Sequence, residues 1–241
     1  MCRRLQDKNA LITGGSRGIG FAVAVRYARE GASVALLARS RENLAQAAER
    51  LRESEPGAEA MTVDAVVGER EQVEAAVAEA VARLGRVDVL VNSAGIASLG
   101  EVDAMAPDEW ERMVRVNLLG TYYVIRALWP HLKEQGGGSI INLSSGSGRR
   151  AHAGWSAYCV SKFGVMGLTD ALQKEGRPHG IRVNVICPGP TDTEQRRANF
   201  GEEAAETLMQ PEEVAEAAVF FASDESRWVS GPGIDVRRGP I

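Results

Sequence analysis

Cysteine is scarce in this chain. Its three copies, Cys2, Cys159 and Cys187, are far apart and odd in number. That rules out a disulfide framework and, without ligand spacing, a thiolate metal centre. Positive charge is not in surplus: the formal net charge is -4, and the arginines are scattered rather than striped, so nothing marks a nucleic-acid-binding face. Long hydrophobic runs are missing. The longest, residues 116–132, is broken by Asn117, Arg126, Pro130 and His131, and is too short and polar to cross a bilayer. No apolar leader core precedes the first strand, and the expectation is a cytoplasmic protein with neither membrane nor nucleic acid as partner. Repeats, low-complexity tracts and linkers are absent too, so residues 1–241 are expected to form one domain.

What the chain does have is an ordinary globular balance, 44% hydrophobic and 25% charged, with a strong alternation of two patterns. Short runs rich in Val, Ile, Leu and Ala occupy 9–13, 33–38, 59–63, 87–91, 139–143 and 182–186, with a weaker one at 234–236. Continuous apolar runs suit strands buried on both faces, as in a parallel sheet. Between them lie helical periodicities at 18–30, 41–53, 70–84, 110–134, 156–175 and 211–222. Pro107 and Pro211, each followed by two acidic residues, are helix-start signals. The expected fold class is α/β: a Rossmann-type, doubly wound parallel seven-stranded sheet flanked by helices in three αβα layers.

Between the first strand and the first helix runs Thr13-Gly14-Gly15-Ser16-Arg17-Gly18-Ile19-Gly20. Glycines at 14, 18 and 20 allow a sharp turn and close approach of backbone to a pyrophosphate, and the helix start offers free amides and a positive dipole end. A plain turn is the bland reading of such glycines, but the strand before and the helix after supply the context of a dinucleotide site. Specificity is expected at the end of the second strand, where a carboxylate would bind the ribose diol and repel a 2′-phosphate. The sequence there is Ala38-Arg39-Ser40-Arg41, with Arg17 in the glycine loop. Guanidinium groups match a phosphate dianion. NADP(H) is the preferred cofactor on this pattern, NAD(H) the alternative, and solvated surface arginines the bland reading.

Tyr158 and Lys162 are four apart in a helical pattern, so they share a face. A neighbouring ammonium lowers a phenol's pKa and makes a usable acid–base pair. Ser145 stands at the end of the 139–143 strand, thirteen positions before Tyr158, where open α/β sheets gather catalytic groups. Ser144 is its rival, and strand alternation sends only one of the two toward the site.

With these residues in hand, nearly the whole chain resembles the short-chain dehydrogenase/reductase family in its compact form. The motifs that carry the likeness are the 13–20 loop, Asn92-Ser93-Ala94-Gly95 after the fourth strand, Asn117, Ser145, the Tyr158/Lys162 pair and Pro188-Gly189. The resemblance implies that Tyr158 is the proton donor and acceptor at the substrate oxygen. It implies that Lys162 holds the nicotinamide ribose and depresses the Tyr158 pKa, that Ser145 binds the carbonyl, and that Asn117 supports a water-linked proton relay. By the same likeness Gly14, Ser16, Arg17, Gly18, Ile19, Gly20 and Arg39 hold the phosphates, and Asp64 with Ala65 meets the adenine. Asn92, Ala94 and Gly95 line the cofactor's path, and Pro188, Gly189, Thr191 and Thr193 flank the carboxamide. No metal is implied. The likeness also implies a substrate lid over 194–210 and a homodimer or homotetramer paired through the 110–134 and 156–175 helices.

The chain departs from the family pattern at Ser93, at Gly176, where an apolar side chain is usual and packing is expected to weaken, and at Arg237-Arg238, which puts the usual tail in doubt. Trp155 is read either as a substrate wall or as helix-start packing. The expected function is hydride transfer between NADP(H) and a ketone, aldehyde or secondary alcohol. The alternatives are an NAD-dependent alcohol or sugar-alcohol dehydrogenase and, from another class, a non-catalytic NAD(P)-binding regulator.

Overall fold

The computed structural model describes residues 3–201, 203 and 205–238, so Cys2 and the final 239–241 segment lie outside the described residues, as do 202 and 204 of the expected lid. Seven strands, β1 (Asn9–Thr13), β2 (Ser33–Ala38), β3 (Ala60–Asp64), β4 (Val89–Asn92), β5 (Gly138–Leu143), β6 (Ile181–Pro188) and β7 (Gly231–Val236), form one sheet in the order β3-β2-β1-β4-β5-β6-β7. Every adjacent pair is parallel. The side-chain period of two divides the strands between two cores. Ala10, Ile12, Val34 and Leu36 face α1 (Gly18–Arg29), α2 (Arg41–Ser54) and α8 (Pro211–Ala222). Leu11, Ala35, Leu37 and Leu90 face α3 (Arg70–Leu84), α5 (Gly120–Glu134) and α6 (Ser156–Gly176). Both faces are covered, which is why the strands read as unbroken apolar runs rather than as alternation.

Strand order reverses direction between β1 and β4, and the chain leaves these two strands for helices on opposite faces of the sheet, α1 on one and α5 on the other. Their carboxyl ends therefore mark the switch point where ligands bind in open α/β sheets. The Thr13 hydroxyl, at the end of β1, accepts the amides of Ser93 and Ala94, each at 3.1 Å, and so pins the loop after β4 beside the glycine loop.

Two expectations change. The continuous helix expected over 110–134 is divided: α4 (Pro107–Val114) passes through a π-helical turn at Arg115–Leu119 before α5 begins. The Asn117 carbonyl takes the Thr121 hydroxyl at 2.9 Å there, and the wider turn carries the Asn117 side chain inward, as π-turns at functional positions do. The second change is at Gly176. A methyl there would stand 2.6 Å from the Ile181 carbonyl oxygen and 3.0 Å from the Ile181 Cβ, so the glycine lets α6 close onto β6 and leaves no gap beneath it. In the tail, Arg238 pairs with Glu213 at 3.1 Å, and Arg237 packs on Gly189. Leu119, Tyr122, Val160 and Phe163 leave an exposed apolar face on the helices expected to pair subunits.

Candidate active site

A single cleft runs from Arg39 and Asn43, past the glycine loop and Ala94–Gly95, to Tyr158, Lys162 and Pro188. Its floor is backbone. Gly14 has φ +67° and Gly18 φ +54°, conformations open to glycine at little cost. A methyl on Gly14 would come within 2.9 Å of the Ala94 nitrogen. The start of α1 has no side-chain cap and no acidic residue in its first turn, so its amides and dipole end are left for an anion. Ser16, Arg17, Ile19, Ala65 and Thr193 complete the lining of this end.

The two arginines of the proposed phosphate site stand in different electrostatic situations. Arg39 is exposed at the cleft and has no ion-pair or hydrogen-bond partner among the described residues. Arg17 donates from Nη1 to Glu194 at 2.8 Å. Asp64, a carboxylate at this end of the sheet, is bound by Arg41 at 2.8 Å and does not line the cleft.

At the other end Ser144 and Ser145 diverge as strand alternation requires. The Ser144 hydroxyl turns into the protein and donates to the Lys162 carbonyl at 3.0 Å. Ser145 accepts the Ser147 amide at 3.1 Å, and its hydroxyl neighbours the Tyr158 phenol. Enclosure of the Tyr158 phenol raises its pKa above the ordinary tyrosine value, and the neighbouring Ser145 hydroxyl and the Arg196 charge partly offset that rise. Lys162 is buried, donates to the Leu143 carbonyl at 2.8 Å, and stands 5.7 Å from the centre of the Tyr158 ring. Burial lowers its pKa to about 8. The expectation that Lys162 depresses the Tyr158 pKa is therefore not what this geometry gives: Ser145 and Arg196 do so here. Desolvation brings the lysine's own titration down toward the neutral range.

Asn117 is buried, and its side chain clamps the Ile96 backbone, accepting the amide at 2.8 Å and donating to the carbonyl at 2.9 Å. It also donates to the Ser161 hydroxyl at 3.0 Å, so one amide ties the loop after β4 to α6. A methyl on Gly95 would lie 3.4 Å from Asn117 Oδ1 and 3.6 Å from Lys162 Nζ, which brings these groups to one point of the cleft.

Several expected residues support the cleft without facing it. Asn92 is buried and donates to Asn142 at 2.9 Å. The Thr191 hydroxyl turns back to the Gly189 carbonyl at 3.0 Å, while the Gly189 amide bonds Val236. Gly20 packs against the Gly14 carbonyl. Conversely, Asn43, Val67, Val116, Glu194 and Gln195 line the cleft and were not expected. Asn43, Glu194 and Gln195 stand in the first turn of a helix, Val67 just past a strand end and Val116 in the π-turn, positions that become informative once the strand order is known.

The expected lid begins with helix α7 (Glu194–Phe200), tied across the cleft by Asn199, which donates to the Ala97 carbonyl at 3.1 Å. Phe200 stacks on Trp155 with ring centres 5.5 Å apart, and Trp155 meets the Tyr158 ring edge-on at 5.7 Å. Trp155 thus covers the flank of Tyr158 rather than merely starting α6.

A nucleotide cleft ending on Tyr158, with Ser145 beside it and a buried lysine one turn on, agrees with the comparison of the whole chain. Residues 8–204 match the short chain dehydrogenase family. The chain belongs to that family. It is 37% identical to the 3-oxoacyl-[acyl-carrier-protein] reductase of Thermotoga maritima over 99% of both chains, and 34% identical to the D-threitol dehydrogenase of Mycolicibacterium smegmatis over 98% of this chain and 94% of the other. Among solved structures, a gluconate 5-dehydrogenase of Burkholderia cenocepacia, in complex with NADP and tartrate, superposes with a TM-score of 0.91 at 35% identity, covering 98% of this chain and 96% of that one. Levodione reductase superposes at 0.92 with 31% identity, covering 97% of each chain. The sequence-based assignment to a short-chain dehydrogenase/reductase with a Rossmann-type sheet is borne out, and the chain is an oxidoreductase of this family.

Proposed function

We propose that this oxidoreductase interconverts a ketone or aldehyde and its alcohol with NADP(H) as cofactor, Tyr158 acting as the acid–base group. The observation that carries the chemistry is Tyr158 with Ser145 beside it and the buried Lys162 one helix turn on, at the end of a glycine-floored cleft. A substrate oxygen placed between these hydroxyls receives one hydrogen bond from Ser145 and a proton from Tyr158 as negative charge develops on it. The raised Tyr158 pKa keeps the phenol protonated at neutral pH, ready for the reductive direction. Lys162, buried one helix turn from Tyr158, holds the sugar next to the nicotinamide. Asn117 ties the loop after β4, at Ile96, to Ser161 of α6. The nicotinamide supplies the hydride when bound.

The proposed preference for NADP(H) rests on Arg39, a cation at the cleft without a partner among the described residues, and on the neutralisation of Asp64 by Arg41. Titration with NADPH and NADH, followed by nicotinamide fluorescence, tests it. NADPH is expected to bind at least tenfold tighter, about 1.4 kcal/mol. Arg39→Ala should weaken NADPH alone by roughly 10- to 100-fold, the size of a charge-assisted contact of about 1.5–3 kcal/mol. Equal affinities in the unmodified protein would overturn the preference and leave NAD(H)-linked alcohol or sugar-alcohol oxidation as the reading.

A pH dependence follows from Lys162. The group is cationic below about pH 8 and neutral above it. The kcat/KM for the cofactor, which reports the groups of the free enzyme, should stay level from pH 6 to 7.5 and fall above about 8. A profile level through pH 9.5 would show that the lysine charge takes no part in capture.

A further inference from the structure

The first turn of α7 touches the glycine loop from the far side of the cleft. Glu194 Oε2 lies 2.8 Å from Arg17 Nη1, and Thr193, which caps the helix, has its methyl 3.4 Å from where a Gly18 methyl would stand. Arg17 and Glu194 are 177 positions apart in sequence, yet both line the same cleft. Arg17 is therefore an engaged cation, and Arg39 has no partner among the described residues.

We propose that Glu194 is a specificity-determining residue for the cofactor: by occupying Arg17 it opposes the 2′-phosphate of NADP(H) and leaves NAD(H) unaffected. The proposal rests on the reading of Arg17 as a phosphate ligand. A 2′-phosphate that takes Arg17 must either displace Glu194 from the guanidinium or share it with a carboxylate of like charge a few ångströms away, and both are unfavourable. A cofactor carrying a 2′-hydroxyl asks nothing of Arg17, and the pair stays whole. The helix cannot easily carry Glu194 out of reach. Asn199 holds the far end of α7 to Ala97, and Phe200 stacks on Trp155, so the carboxylate is presented to Arg17 from a fixed element. The coupling runs both ways. A bound 2′-phosphate should loosen the tether of α7 to the glycine loop, which makes the start of the lid responsive to which cofactor is present.

The test is a double-mutant cycle on cofactor affinity, reading the Kd of NADPH and of NADH by nicotinamide fluorescence at low salt for the unmodified protein, Glu194→Gln, Arg17→Ala and the double variant. Both side chains are more than half exposed, so the fold should tolerate each change. Glu194→Gln is expected to tighten NADPH roughly two- to fivefold, the range of an exposed ion pair, with NADH unchanged. In the Arg17→Ala background the gain should vanish. No change in Glu194→Gln, an equal change for both cofactors, or a gain that survives Arg17→Ala would overturn the role of Glu194 while Arg17 keeps its own. If Arg17→Ala leaves NADPH affinity intact, Arg17 is not a phosphate ligand, and both readings fall together.

Discussion

Tyr158→Phe is expected to reduce kcat/KM for carbonyl reduction by about 10²–10⁴-fold, the usual contribution of a positioned proton donor. At about 1.36 kcal/mol per decade this is roughly 3–5 kcal/mol of barrier. The ring should stay where it is, because what holds it is Trp155 edge-on at 5.7 Å and the helix beneath, neither of which involves the hydroxyl. Ser145 loses only a neighbouring hydroxyl and keeps the Ser147 amide. NADPH affinity should therefore change less than about twofold. Stopped-flow single turnovers with a reducible ketone, beside a fluorescence titration, separate the two effects. Full activity in the variant would assign the proton to another group, and lost cofactor affinity would mean that the hydroxyl is part of the binding site.

The fold was largely legible because both faces of the sheet are covered. Buried strands such as β2 and β5 announce themselves as unbroken apolar runs, and their boundaries agree with the structure to within a residue. Site residues set by short spacing were equally legible. The four-residue separation of Tyr158 and Lys162 is local geometry, and both residues line the cleft; the Ser144 hydroxyl, next to Ser145, turns to the Lys162 carbonyl. What stayed hidden depends on distant chain. The π-turn at Arg115–Leu119 has no periodicity of its own, since one extra residue in a turn is invisible beside the apolar stretch around it. Gly176 reads as a lost side chain until β6 is seen against it at 2.6 Å. Partnerships such as Arg17 with Glu194 and Arg41 with Asp64 decide which charges are free, and no sequence pattern states them. For the same reason the electrostatics of Tyr158 came out differently, with Ser145 and Arg196 lowering its pKa where Lys162 was expected to do so.

Gly20→Ala is expected to weaken NADPH at least 100-fold without unfolding the protein. The case rests on space, because the conformation of Gly20 is helical and open to any residue. An alanine methyl would stand 2.8 Å from the Gly14 carbonyl carbon and closer still to its oxygen, with Ser93 Oγ at 3.2 Å. Ordinary contact begins near 3.4 Å. The Gly14 carbonyl has little freedom to retreat: its amide is bonded to Leu37 at 2.8 Å, and its Cα face lies against Ala94. The glycine loop must therefore shift by a good part of an ångström, and displacements of that size cost about 10²-fold where geometry carries the interaction. Helix propensity works the other way, since Ala favours a helix interior over Gly by about 1 kcal/mol. The change in melting temperature should consequently be small beside the change in affinity. Gly167→Ala on α6 is the matched control, because its new methyl meets nothing within 4 Å and should leave the NADPH Kd unaltered. Thermal melts and NADPH titrations of both variants decide the point. If Gly20→Ala kept full affinity, the glycine loop would be compliant enough to absorb a methyl, and close packing of α1 on Gly14 would not be what shapes the phosphate site.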